Sequence, residues 1–338
     1  MTYGINLAPH ANARYEQAAR PLAQAELTLI LNALNLDANT FFENRNGAEF
    51  LCFFADKLTH RQCERLGLHS MLHFAAEMRE DGSVFPLFGR NESYLFGDLP
   101  SILKYKGKTN ESFTHLLVNL ALFESAWMHE ASPLMLLDPM CGRGTTLFDA
   151  VNRGYDAVGI DIDQADISEA SNFFARYLKY HHIKHTARED SLTMGGGKNV
   201  RRKRFEFARS SQDYKDKKTI SLSLIKGDAA DAASAFKDAT FHLICADLPY
   251  GVHHGPKAGA KISGFEALLK NALPVFYRKM KRGGAISLSF NSYTLKKDAL
   301  HAMLAEAGFV ALKGGVYDGL EHWVEQAVMR DAVVAVKK

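Results

Sequence analysis

The chain has 338 residues, 47% of them apolar, enough for one large α/β domain and a smaller one with a core each. Its four cysteines (Cys52, Cys63, Cys141, Cys245) show no Cys-x-x-Cys spacing, which argues against a disulfide framework or a zinc clip and points to a reducing cytoplasm. The start Met1-Thr2-Tyr3-Gly4-Ile5 lacks a basic stretch followed by an apolar run, and no run of about eighteen apolar residues occurs, so neither export nor membrane insertion is expected. The net charge of +3 hides an imbalance, because Arg176 to Lys226 holds fourteen Lys or Arg against five Asp or Glu and includes Arg201-Arg202-Lys203-Arg204. Such a block is a phosphate footprint or a solvated insertion.

In chain order, Arg14–Leu34 reads as an amphipathic helix carrying Pro21, and Glu49–Phe54, Thr59–Leu66 and Met71–Glu80 read as strand, helix, and strand or helix. This is a separate α/β module, residues 1–105, with its boundary in the Gly-, Asn-, Pro- and Lys-rich stretch Phe88–Lys108 before a helix at Ser112–Trp127. From Pro133 the pattern alternates: strand Leu134–Pro139, helix Thr145–Arg153, strand Ala157–Ile162, helix Gln164–His181. Then comes an insertion, residues 184–219, read as a loop and hairpin around Gly195-Gly196-Gly197. Strands follow at Ser221–Lys226, Phe241–Ala246 and Ala285–Phe290, with helices at Phe265–Lys281 and Leu295–Ala307. The last strands are Val310–Lys313 and Gln326–Val336, separated by the Gly314-Gly315 and Asp318-Gly319 turns. Such alternation predicts βαβ units and a mostly parallel sheet over residues 106–338.

Within that region, a strand ending at Asp138 runs into Gly142-Arg143-Gly144 and opens a helix, so backbone donors face a ligand where glycine removes the obstructing side chain. The next strand ends in Gly159-Ile160-Asp161-Ile162-Asp163, which puts Asp161 where a ribose hydroxyl is accepted, and Lys226-Gly227-Asp228-Ala229 offers a carboxylate to an adenine amino group. A nicotinamide dinucleotide site would need a third glycine where Leu147 stands. A nucleoside ligand without a pyrophosphate fits better.

The segment Asp138-Pro139-Met140-Cys141-Gly142-Arg143-Gly144-Thr145 resembles the first motif of class I S-adenosylmethionine-dependent methyltransferases, in the variant used by enzymes that methylate exocyclic amino groups of nucleic-acid bases. The resemblance covers Ser112–Lys338. It implies a Rossmann-like domain with a mostly parallel seven-stranded sheet and S-adenosylmethionine as cofactor. By similarity Asp138 meets the methionine amino end, Gly142 and Gly144 back the methionine portion, Asp161 holds the ribose and Asp228 the adenine. Pro139, Cys141, Thr145, Ile162 and Ala229 complete that surface. Asn110 and Phe113 lie where such enzymes close over the methionine end, although Asn110 also suits a helix cap and Phe113 a core position.

The second motif is Asp247-Leu248-Pro249-Tyr250, after the fourth strand of the domain. An amino nitrogen conjugated to its ring is a poor nucleophile. A carboxylate and a backbone carbonyl that accept its two hydrogens favour pyramidal geometry and stabilise the developing charge, roles that suit Asp247 and the Leu248 or Pro249 carbonyl. Tyr250 supplies a face on which a base taken out of its stack can lie. The family motif has Pro-Pro where this chain has Leu248-Pro249, and a leucine there is similar to the RNA guanine-amino methyltransferases that often carry a THUMP domain. The resemblance therefore implies guanine in transfer RNA as substrate, with DNA adenine or cytosine as the alternative and a noncatalytic nucleic-acid-binding protein as the alternative of another class. Arg201, Arg202, Lys203 and Arg204 are candidate phosphate contacts, and His253 and His254 candidate substrate contacts or plain loop histidines. His181, His182 and His185 lack neighbouring Cys, Asp or Glu, so no metal is expected.

Overall fold

The computed structural model describes residues 1–9, 13–105, 107–130, 132–194, 197, 199–249 and 258–338. These divide into two compact units, Met1–Glu92 with Lys313–Asp331, and Ser93–Leu312 with Ala332–Lys338. The sequence expectation set the boundary after residue 105 and left 313–331 with the larger domain. Compactness sets it after Glu92 and returns that segment to the first unit, which a linear reading of composition cannot foresee.

The first unit contains β1 (Thr2–Leu7), α1 (Ala13–Ala33), β2 (Thr40–Arg45), β3 (Ala48–Phe54), α2 (His60–Leu66), β4 (Leu72–Met78) and β5 (Val84–Gly89). Its antiparallel sheet has the order β2-β3-β1-β4-β5, the split arrangement of a βαββαβ chain extended at one edge by β5. Local chemistry sets the turns and ends. Asn46 and Gly47, at φ 53° and 84°, form the two-residue connection between β2 and β3 that the strand twist favours. Thr59 and Gln62 form a capping box at the start of α2. The Met71–Glu80 ambiguity resolves as a strand.

The second unit contains α3 (Leu99–Ile102), α4 (Glu111–Glu124), β6 (Met135–Asp138), α5 (Thr145–Asn152), β7 (Asp156–Asp161), α6 (Gln164–Tyr180), β8 (His185–Thr193), β9 (Asn199–Phe207), α7 (Ser211–Lys215), β10 (Ile220–Lys226), α8 (Ala229–Ser234), β11 (Phe241–Asp247), α9 (Ala258–Lys279), β12 (Met280–Asn291), α10 (Lys297–Glu306) and β13 (Val310–Ala311). A 3-10 turn (Gly315–Leu320) and β14 (His322–Glu325), which belong to the first unit, precede β15 (Val328–Val336), whose residues from Ala332 on belong to the second. The sheet runs β13-β15-β12-β11-β6-β7-β10-β9-β8, with β14 paired to the start of β15. β10, β7, β6, β11 and β12 are mutually parallel. The sheet therefore has ten strands where seven were expected. The surplus is the β8–β9 hairpin, antiparallel to β10, together with β14.

Helices α4, α5 and α6 cover one face, and α8, α9 and α10 the other. The central strands β10 and β11 are buried on both faces, and a sheet buried on both sides needs a helical layer on each. Phe148 and Phe174 stack at 5.8 Å between centroids under the first layer, and both are fully buried. Each such ring contributes about 1.5–3 kcal/mol.

Candidate functional site

All five parallel strands end on one edge, and the strand order reverses between β6 and β11, since β7 and β10 follow on one side of β6 and β11 and β12 lie on the other. Open α/β sheets bind ligands at that crevice. Asp138 ends β6, Asp161 ends β7, Asp228 follows β10 and Asp247 ends β11. The fold thus brings together at one edge the four carboxylates singled out from sequence.

The loop after β6 is anchored by its backbone. The Cys141 amide donates to the Ile160 carbonyl at 2.9 Å, tying the loop to β7. This approach needs Gly159, where a Cβ would stand 2.3 Å from Leu147 Cδ1 and 2.8 Å from Cys141 Sγ. Gly142 (φ 49°) and Gly144 (φ 88°) take the left-handed conformation that turns the chain into α5. A Cβ on Gly142 would meet nothing within 4 Å, so the glycine leaves an open cradle bounded by backbone. The Gly142 amide donates to Asp161 Oδ2 at 2.8 Å and the Asp163 amide to Asp161 Oδ1 at 2.8 Å. A carboxylate oxygen accepts two hydrogen bonds, so half-buried Asp161 keeps capacity for a pair of ribose hydroxyls. Beside it Ile162 is 68% exposed, an apolar surface suited to a purine face. The residues fit S-adenosylmethionine.

Asp138 is buried, and that burial raises its carboxyl from 3.8 to about 7, against the Met140 amide at 3.1 Å and the Thr146 side chain, which pull it down. Pro139, Cys141 and Thr145 are buried with it, and burial holds the Cys141 thiol well above its ordinary value. Asp228 Oδ1 accepts from the Ala230 and Asp231 amides at 2.9 and 3.2 Å, capping α8, and Ala229 is buried behind it. Asn110 caps α4 by accepting from the Ser112 and Phe113 amides at 2.9 and 3.3 Å, and Phe113 is fully buried. Helix initiation and core packing are what these two residues visibly do.

Asp247 is half-buried, with the Thr109 hydroxyl donating to Oδ2 and the Ser289 hydroxyl to Oδ1. Ser289 sits opposite it on β12. The Leu248 amide donates to the Ser289 carbonyl at 2.9 Å, extending the ladder one step, and the Leu248 side chain is 2% exposed in the core beneath α9. That packing accounts for leucine where the motif has proline: the position faces inward and rewards bulk. Pro249 is exposed. Tyr250, His253 and His254 lie outside the described residues.

The basic block does not form one patch. A strand turns successive side chains to opposite faces, so Arg201 and Lys203 share one face of β9 and Arg202 and Arg204 the other. Arg202 is bound by Asp190 through two contacts of 2.8 and 2.5 Å, and Lys203 lies 3.9 Å from Glu189. Only Arg201 and Arg204 are exposed. A contiguous run in sequence thus becomes two pairs on opposite faces of a strand.

Four site residues escaped the sequence reading: Thr109, Ser289, Gly159 and Tyr105, whose hydroxyl lies 3.1 Å from Thr145 Oγ1. Arg143 lies over the Tyr105 ring at 4.8 Å and is paired with Asp166 at 2.8 Å and with Glu169. A hydroxyl two residues before the end of the fifth parallel strand was the available signal for Ser289. Among the described residues no group of three potential metal ligands occurs, and no helix is long and apolar enough to cross a membrane.

Residues 114–315 match the family model described as RMKL-like, methyltransferase domain. No curated protein sequence matches the chain. Among solved structures, TrmN from Thermus thermophilus aligns over 100% of both chains with 13% identity and a TM-score of 0.45. Magnesium protoporphyrin IX methyltransferase (ChlM) from Synechocystis PCC 6803, solved with bound SAM, aligns over 69% of this chain and 87% of its own, with 14% identity and a TM-score of 0.39. A TehB-like SAM-dependent methyltransferase from Corynebacterium glutamicum covers 62% of this chain and 84% of its own, with 16% identity and a TM-score of 0.36. These are distant likenesses of backbone trace. The family match spans more than half of the chain and holds Asp138, Asp161, Asp228, Asp247 and Ser289, so the chain belongs to the RMKL-like methyltransferase-domain family and takes S-adenosylmethionine as its methyl donor.

Proposed function

We propose that the protein methylates the exocyclic amino group of a base in RNA, with guanine in transfer RNA as the substrate. The observation that supports this reading most is Asp247, set at the end of β11 across the strand reversal from Asp138 and held by a hydroxyl on each oxygen. When bound, S-adenosylmethionine supplies a methyl that is already electrophilic, so the protein's task is to position a nitrogen. Asp138 receives the methionine ammonium, Asp161 the ribose hydroxyls, and Ile162, Asp228 and Ala229 form the adenine end. Asn110 and Phe113 brace the segment over the methionine end.

On the substrate side Asp247 accepts an amino hydrogen and stabilises the positive charge that develops on nitrogen as the bond to the methyl forms. The Leu248 or Pro249 carbonyl accepts the second hydrogen, and Tyr250 stacks on the base. Thr109 and Ser289 are positioning residues, because their hydroxyls fix the plane of the carboxylate. Residues 1–105 serve as a substrate-binding module. Mass spectrometry of transfer RNA nucleosides from cells lacking the protein is the test, and a methylated guanosine should disappear. An unchanged guanosine profile would refute guanine in transfer RNA. For the purified enzyme, Asp247→Ala should cut turnover at least 100-fold, the scale of removing one preorganised group, with S-adenosylmethionine affinity nearly intact. Equal loss of both would make Asp247 structural.

A further inference from the structure

The β8–β9 hairpin carries a juxtaposition that the proposed reaction does not use. The register sets Arg188 of β8 directly opposite Arg204 of β9, so the two exposed guanidinium groups share one face. Like charges at directly opposed positions destabilise a strand pair. The other acids and bases of that face are Asp190 and Arg202, the next opposed pair, and Glu206, which faces Thr186. Asp190 is taken by Arg202 at 2.5 Å, and Glu206 accepts from the Thr219 hydroxyl at 3.1 Å. Among the described residues neither Arg188 nor Arg204 has an acidic partner within 4.0 Å. The reverse face is occupied, since Phe205 and Phe207 pack against Phe174 of α6 at 5.3 and 5.2 Å between centroids. The hairpin is thus a braced rib that presents two like charges outward.

We infer that Arg188 and Arg204 together grip one backbone phosphate of the RNA substrate, an inference that rests on the RNA reading above. Two guanidinium forks converging on a phosphate turn the cross-strand repulsion into mutual support. The distance fits a polymer. β9 lies four strands from β11, roughly 19 Å at about 4.8 Å per strand. The register runs Arg204–Ser223–Val158–Leu137–Ile244, which leaves Asp247 three residues, roughly 10 Å, further along. A phosphate held there is roughly 20 Å from the methylated base, so it belongs to a different nucleotide of a longer substrate. This contact would select RNA over free nucleosides.

The test uses the full chain and bulk transfer RNA, with affinity measured over a salt series. Arg188→Ala/Arg204→Ala should weaken binding about tenfold and flatten the salt dependence by about one phosphate's worth. Arg201→Ala, on the reverse face, should leave the slope unchanged. In the absence of RNA, Arg188→Ala should melt at or above the parent temperature, because it removes a repulsion, and S-adenosylmethionine binding should persist. If the parent binds RNA and the double variant binds it equally well with the same slope, the phosphate grip is refuted while the RNA reading stands. If the parent binds no RNA at any salt concentration, both fall.

Discussion

Replacing Asp138 by asparagine removes a carboxylate that the fold keeps in surroundings hostile to charge. Burial lifts this carboxyl from 3.8 to about 7, Asp161 and Asp247 add to the rise, and the Met140 amide and Thr146 side chain oppose it. Between those values the folded protein without cofactor binds more protons at this site than the unfolded chain does. The site's contribution to stability is therefore fully present below pH 3.8 and is lost as pH rises through about 7. At ~1.4 kcal/mol per pH unit the complete loss is about 4 kcal/mol. Asp138→Asn carries no such cost, so it should match the parent near the acid end and exceed it increasingly toward pH 7, less about 1 kcal/mol for a weaker acceptor at the Met140 amide. Urea denaturation of both proteins at intervals between acid and neutral pH measures the difference. Calorimetry with S-adenosylmethionine should show a proton released on binding below pH 7, with affinity falling about tenfold per pH unit toward acid, a slope that Asp138→Asn abolishes. A stability difference that stays flat with pH, with flat cofactor affinity, would refute the reasoning and mean that Asp138 is ionised throughout.

Thr109→Val and Ser289→Ala should each lower kcat about tenfold, the loss expected for ~1.4 kcal/mol of misplaced transition-state contact, with KM for S-adenosylmethionine unchanged. Thr109→Ser should restore the rate, and a parallel rise in KM would count against the positioning role. Gly159→Ala places a methyl 2.3 Å from Leu147 Cδ1 and should cost about 1–3 kcal/mol of stability, read by thermal melting. Gly142→Ala has open space but a φ of 49°, so it should cost about 1 kcal/mol of stability. By filling the cradle it should also lower cofactor affinity by far more than Gly159→Ala does, and calorimetry showing the reverse ranking would place the cofactor elsewhere.

The second unit's strands and helices were legible because parallel strands buried on both faces read as short apolar runs, and because each carboxylate stands at a strand end. The first unit was less so. Thr2–Leu7, Thr40–Arg45 and Val84–Gly89 are strands that sequence reading passed over, and several of their side chains are only partly buried, which blurs alternation. The Asn46-Gly47 turn was the missed signal. Thr109 and Ser289 lie 138 and 42 residues from Asp247, and only tertiary structure brings their hydroxyls to it. The division of the basic run between two faces was not legible, since charge counted along the chain ignores the two-residue period of a strand.

The first unit is built from two lengths of chain, and within it α1 packs against the 3-10 turn Gly315–Leu320 and β14. At synthesis rates of about 5–20 residues per second, residues 1–92 wait roughly 10–45 s for Lys313 to Asp331 to be made. During that interval the α1 surface those residues cover stands bare, and a chaperone has one side of an amphipathic helix to hold. The unit begun first is among the last completed. A truncation before Lys313 should therefore damage the amino-terminal unit more directly than its distance in sequence suggests.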